Sequence, residues 1–110
     1  MNVYLDDERE TPAVWLRAYW PDEVIKLLKT DKVKLLSLNH DLGNDNKGTG
    51  YDVLLWIELA VFIDGFVPPL IAVHLANSSA RIKMERAITQ INLLARHHYL
   101  MALKVSQFLK

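Results

Sequence analysis

Three segments carry the side chains able to do chemistry: Val3-Tyr4-Leu5-Asp6-Asp7-Glu8-Arg9, Leu36-Ser37-Leu38-Asn39-His40-Asp41-Leu42-Gly43 and Ile71-Ala72-Val73-His74-Leu75-Ala76-Asn77. Each begins as an apolar run and ends in polar residues. Asp6, Asp7 and Asp41 are hard oxygen ligands of the kind that Mg²⁺ or Mn²⁺ takes, and Mg²⁺ needs only one or two of them because it keeps several waters. His40 and His74 follow apolar runs and carry the side chain whose proton is exchanged near neutral pH, so they are candidates for general acid and base. Arg9 and Asn77 can hold phosphate oxygens, and Ser78 and Ser79 open a helix whose free N–H groups favour an anion. The plainer reading stands beside this one: acidic pairs stop strands and make turns, a histidine is often a structural hydrogen-bonder, and Arg9 could simply lock the Asp7 loop.

These residues meet only if their strands lie side by side and point the same way. In an open α/β sheet the carboxyl ends of parallel strands share one edge, so polar residues at those ends converge on one crevice. The chain supplies such elements. Residues 2–5 form a buried strand, and Val14 to Trp20 a second, with Pro21-Asp22-Glu23 opening a helix whose apolar face is Val24, Ile25, Leu27 and Leu28. Val33 to Leu38 reads as a central strand, apolar on both faces apart from Lys34 and Ser37. Gly43 to Gly50 holds three of the chain's four glycines and reads as a loop over the site.

A helix from about Tyr51 to Ile63 is apolar almost all round, and Gly65 ends it. Leu70 to His74 is a fourth strand. Met84, Ala87, Ile88, Ile91, Leu94 and Ala95 then recur at helical spacing up to about Arg96. Residues 97–110 fit either a continued helix or a last strand around Tyr99 to Val105. The element order predicts one α/β domain over residues 1–110, three-layered, with a small and mainly parallel sheet of four or five strands. The short link between the first two strands predicts an antiparallel or irregular second strand.

With 110 residues, 13 basic and 13 acidic, the chain is one domain of zero formal charge, without the field that would hold duplex nucleic acid over a broad surface. No cysteine is present, which excludes disulfides, thiolate zinc sites and cysteine nucleophiles. The start reads as free of a signal peptide, and Val53 to Ile63 is about half the length of a membrane span, so a cytoplasmic protein without membrane contact is expected. The apolar 53–63 helix or the C-terminal segment could pair two copies. The Asp41 loop lacks the glycine and closing glutamate of an EF-hand, and Gly48-Thr49-Gly50 lacks the ending of a P-loop.

Leu5-Asp6-Asp7-Glu8-Arg9, Asn39-His40-Asp41-Leu42-Gly43, Gly48-Thr49-Gly50-Tyr51-Asp52 and His74 with Asn77 resemble the cyclic-phosphate processing receiver domains, relatives of the response-regulator receiver fold, over residues 1 to about 90. The resemblance implies a flavodoxin-like, receiver-like domain acting on cyclic phosphates of nucleotides or RNA ends, in RNA repair or phage defence. It implies that Asp6, Asp7 and Asp41 form the acidic pocket, with Arg9, His40, His74 and Asn77 around it. Two positions depart from the family pattern, Asn39 where an aspartate precedes the His-Asp pair and Leu75 where a serine follows the later histidine. Two other readings remain open. One is a phospho-accepting receiver using Asp41, with Lys104 in a last strand as its lysine. The other is a non-catalytic module that binds a nucleotide or a protein.

Overall fold

The computed structural model describes residues 1–40, 47–74 and 78–109. Four strands, β1 (Asn2–Leu5), β2 (Leu16–Ala18), β3 (Leu35–Leu38) and β4 (Leu70–Val73), form one sheet in the order β2-β1-β3-β4, every pair parallel. Helix α1 (Pro21–Leu28) links β2 to β3, α2 (Gly50–Asp64) links β3 to β4, and α3 (Ser78–Phe108) follows β4.

Alternation along the strands decides which face carries the core. Val3 and Leu5 on β1 and Leu36 and Leu38 on β3 are buried in register, and they meet Val24 and Leu28 of α1, Val53, Leu54, Ile57 and Val61 of α2, and Met84 and Ile91 of α3. The helices touch one another in sequence, α1 on α2 and α2 on α3, so all three share this face. This is what right-handed crossovers require when β3 and β4 are added in one direction.

The α/β class and the small parallel sheet are as the sequence predicts, but the layering differs. Among the described residues the opposite face of the sheet has no helix. There Tyr4 is screened by Trp15, whose ring meets it edge-on at 6.2 Å, and by His74. The β1–β2 connection also corrects an expectation: β2 is a three-residue parallel edge strand, not an antiparallel one. The link manages this without a helix because side chains pin it. Arg17 donates through Nη1 to the Asp6 carbonyl oxygen at 2.8 Å and through Nε to Thr11 Oγ1 at 2.7 Å.

Residues 97–108 continue α3 and form no strand. At about 1.5 Å per residue this helix is roughly 46 Å long, and it accounts for most of the longest dimension of the chain, 52 Å. Gly65, the left-handed C-cap of α2, stands beside His98, and from Tyr99 onward every described side chain of α3 is exposed. No described helix is long and apolar enough to cross a membrane.

Candidate functional site

The strand order places a topological switch between β1, whose chain leaves toward β2, and β3, which lies on its other side; the crevice of an open α/β sheet forms at such a point. Asp6 stands there, immediately after β1 and fully buried. Its Oδ1 accepts the backbone N–H groups of Glu8 at 2.8 Å and Arg9 at 3.0 Å, an Asx turn that folds Asp7-Glu8-Arg9 back over the strand end. Its Oδ2 lies within hydrogen-bond distance of His74 Nε2, at 3.0 Å, and Arg9 Nε lies 3.9 Å away.

His74 arrives from the end of β4, where its N–H donates to Leu38 O at 3.0 Å, continuing the ladder. Its imidazole stacks on the Tyr4 ring with centroids 4.0 Å apart and planes 8° from parallel, and its Nδ1 is 2.6 Å from Ser37 Oγ. Register explains the convergence. Tyr4 faces Ser37 and Ser37 faces Ala72, so one face of the sheet carries all three; Asp6 and His74, each two residues further on, belong to it as well. Arg9 closes the ring by donating through Nη1 to the His74 carbonyl oxygen at 3.3 Å, while its side chain stays half exposed.

The electrostatics follow from these contacts. Burial pushes the Asp6 carboxyl up, but the Arg9 and Glu8 N–H groups and the His74 hydrogen bond and charge outweigh it and hold the group below its usual value. His74 is also lowered: burial is the largest cause and the Arg9 charge adds to it, against the attraction of Asp6. Asp6 is therefore ionised and His74 neutral around pH 7.

On β3, Asn39 N–H donates to Leu5 O at 3.0 Å and Asn39 Oδ1 accepts the His40 N–H at 2.9 Å. An amide oxygen thus caps the His40 N–H. Gly50 allows α2 to begin against this strand end, since a Cβ there would stand 2.0 Å from the Asn39 carbonyl oxygen. Thr49 N–H donates to Asp52 Oδ2 at 2.7 Å and fixes the helix start.

Of the residues chosen from sequence, Asp6, Asp7, Arg9, His40 and His74 are at this edge, and α3 opens with Ser78. Asp41, Asn77 and Leu75 lie outside the described residues. Two residues the sequence reading did not choose are central: Ser37 and Tyr4. Ser37 had a signal, a hydroxyl between Leu36 and Leu38 in a central strand, which needs a buried partner. Tyr4 had none, as an aromatic inside a strand is ordinary.

For a divalent metal the fit is uneven. Asp6 already receives donors on both oxygens. Asp7 is half-buried, and among the described residues its carboxylate has no partner. No cluster of three or more acidic, histidine or cysteine side chains able to hold a metal occurs among the described residues, a set that does not include Asp41. Lys104 lies in the exposed end of α3, past the far end of α2, and not on a strand beside Asp6. A cleft of about 1010 Å³ is lined by Leu35, Trp56, Phe66, Pro69 and Leu70 at the opposite edge of the sheet. It shares no residue with the polar cluster.

Compared with known proteins, residues 1–90 match the model of the cyclic-phosphate processing receiver domain. No curated protein and no solved structure matches the chain.

Proposed function

Because the chain belongs to the cyclic-phosphate processing receiver domain family, we propose that it takes the phosphate of a cyclic nucleotide, or of a cyclic-phosphate RNA end, into the crevice and opens the ring by hydrolysis. The observation carrying this reading is the connected set Ser37, His74, Asp6 and Arg9, which ties β3, β4 and β1 together and leaves a guanidinium half exposed at their shared edge. A guanidinium so held can pair two phosphate oxygens through its remaining N–H groups.

Ring opening adds water across one P–O bond, so the attacking water loses a proton and the departing sugar oxygen gains one. His40, following β3, is assigned to this transfer. Asn77 and Ser78 are assigned to the phosphate at the start of α3, where the positive end of the helix dipole favours an anion. A Mg²⁺ or Mn²⁺ ion held by Asp7 and Asp41 would polarise the phosphate. Asp6 supports the site from behind, because a metal on it would displace His74 or the Asx turn.

The test is incubation of the protein with 2′,3′- and 3′,5′-cyclic nucleotides and cyclic-phosphate RNA ends, with and without Mg²⁺ or Mn²⁺, following ring opening by chromatography. Opening that needs the metal and is lost in Asp7→Asn and Arg9→Lys supports the reading. Absence of opening with every substrate and ion overturns it. The internal saturation of Asp6 and His74 favours a second reading, a binding module without turnover. Its signature is a nucleotide-dependent rise in melting temperature with no product, since a ligand that binds only the folded state stabilises it.

A further inference from the structure

We propose that Ser37 is a positioning residue: its hydroxyl occupies Nδ1 of His74, so that the imidazole is a fixed strut between Ser37 and Asp6 and not the proton carrier of the crevice. The inference deepens the phosphate-crevice reading and rests on it for its functional meaning, but its geometry stands alone.

The argument starts from Asp6. An ionised carboxylate only accepts hydrogen bonds, and Asp6 is surrounded by donors: the N–H groups of Glu8 and Arg9 and the Arg9 guanidinium. The hydrogen in the 3.0 Å contact between Oδ2 and Nε2 therefore belongs to His74. A neutral imidazole has one ring hydrogen, so Nδ1 carries the lone pair. The 2.6 Å contact there is then Ser37 Oγ–H donating to Nδ1. Ser37 is 8 % exposed in the middle of β3, where a hydroxyl without a partner would be costly, and its in-register neighbours are Tyr4 and Ala72.

Both nitrogens of His74 are thus engaged, and one ring face is covered by Tyr4. To take or give a proton at the substrate, His74 would have to abandon Ser37 or Asp6. What the strut does instead is hold the Asp6 carboxylate, and through the His74 carbonyl the Arg9 guanidinium, at the end of the sheet. The proton transfer falls to His40.

Long-range ¹H–¹⁵N correlation of the histidine rings in the labelled full chain, at a pH where His74 is neutral, reads this directly and needs no substrate. In the wild type Nε2 is expected to be protonated and Nδ1 not. In Ser37→Ala the Nδ1 resonance is expected to move toward that of a pyridine-type nitrogen without a hydrogen bond, and Ser37→Thr to restore it. A wild-type His74 protonated on Nδ1 overturns the proposal, whether or not the alanine variant folds. An Nδ1 resonance that does not move in a folded Ser37→Ala protein overturns it equally. Loss of cyclic-phosphate turnover as a function of this protein would leave these ring signals unchanged, so the two readings fail separately.

Discussion

The imidazole of His74 lies flat on the ring of Tyr4, with centroids 4.0 Å apart and planes inclined by 8°. Tyr4 therefore supports a site residue while filling the sheet face. Its hydroxyl makes no hydrogen bond among the described residues, so Tyr4→Phe is expected to unfold in denaturant close to wild type. Tyr4→Ala removes both ring contacts and should cost about 3 kcal/mol, as large aromatic truncations in cores do.

Gly50 has no room for a side chain. The atom it would meet is the backbone oxygen of Asn39, which no rotamer change can move, and Met84 Cε is 3.1 Å away as well. Gly50→Ala should push α2 away from the end of β3 and lower stability by roughly 2 kcal/mol or more, measured by denaturant unfolding.

Val14 sits at φ +64°, a conformation that β-branched side chains rarely adopt, and it is 94 % exposed. Nothing in the packing repays the strain. Val14→Asn, which tolerates the left-handed region, should raise stability by about 1 kcal/mol and increase the melting temperature.

Stability should fall on acidification in two steps. Folded His74 has its pKa below the ordinary 6.5, so as the pH drops through 6.5 the unfolded chain takes up the proton first and gains relative to the native state. This loss ends once the pH is below the folded value. Asp6, lowered from 3.8, acts with the same sign further down: its stabilisation is complete above 3.8 and is lost as the pH falls through the folded value. Denaturant midpoints measured across this range should lose the upper step in His74→Gln and keep it in His40→Gln.

The two histidines should also separate in kinetics. If His40 carries the proton, His40→Gln should lower kcat by about 10²- to 10⁴-fold. His74→Gln should act mainly on KM, through Arg9, with kcat reduced less than about tenfold. Steady-state ring-opening rates on a cyclic nucleotide decide it, and the reverse pattern would return the proton transfer to His74.

Several elements could be read from local chemistry alone. Runs such as Val3-Tyr4-Leu5 and Leu35-Leu36-Ser37-Leu38 are too short and too apolar for anything but buried strands, and the residues that end them are on the crevice edge by the geometry of parallel strands. Gly65 ended α2 because its left-handed cap needs no Cβ. The family resemblance over residues 1–90 was legible for the same reason, since its motifs are contiguous stretches.

What the amino-acid sequence by itself determined was therefore the set of strands, the crevice they share and most of the residues around it. Tertiary structure alone decided the partners. Ser37 meets His74 across 37 positions and His74 meets Asp6 across 68, and no local pattern encodes a contact between strands whose register is set by the packing of the whole sheet. The direction of β2 and the extension of α3 past residue 96 were decided there too. A three-residue strand takes its orientation from the edge that accepts it, and α3 draws its packed face from α2, leaving the remainder to run on as helix.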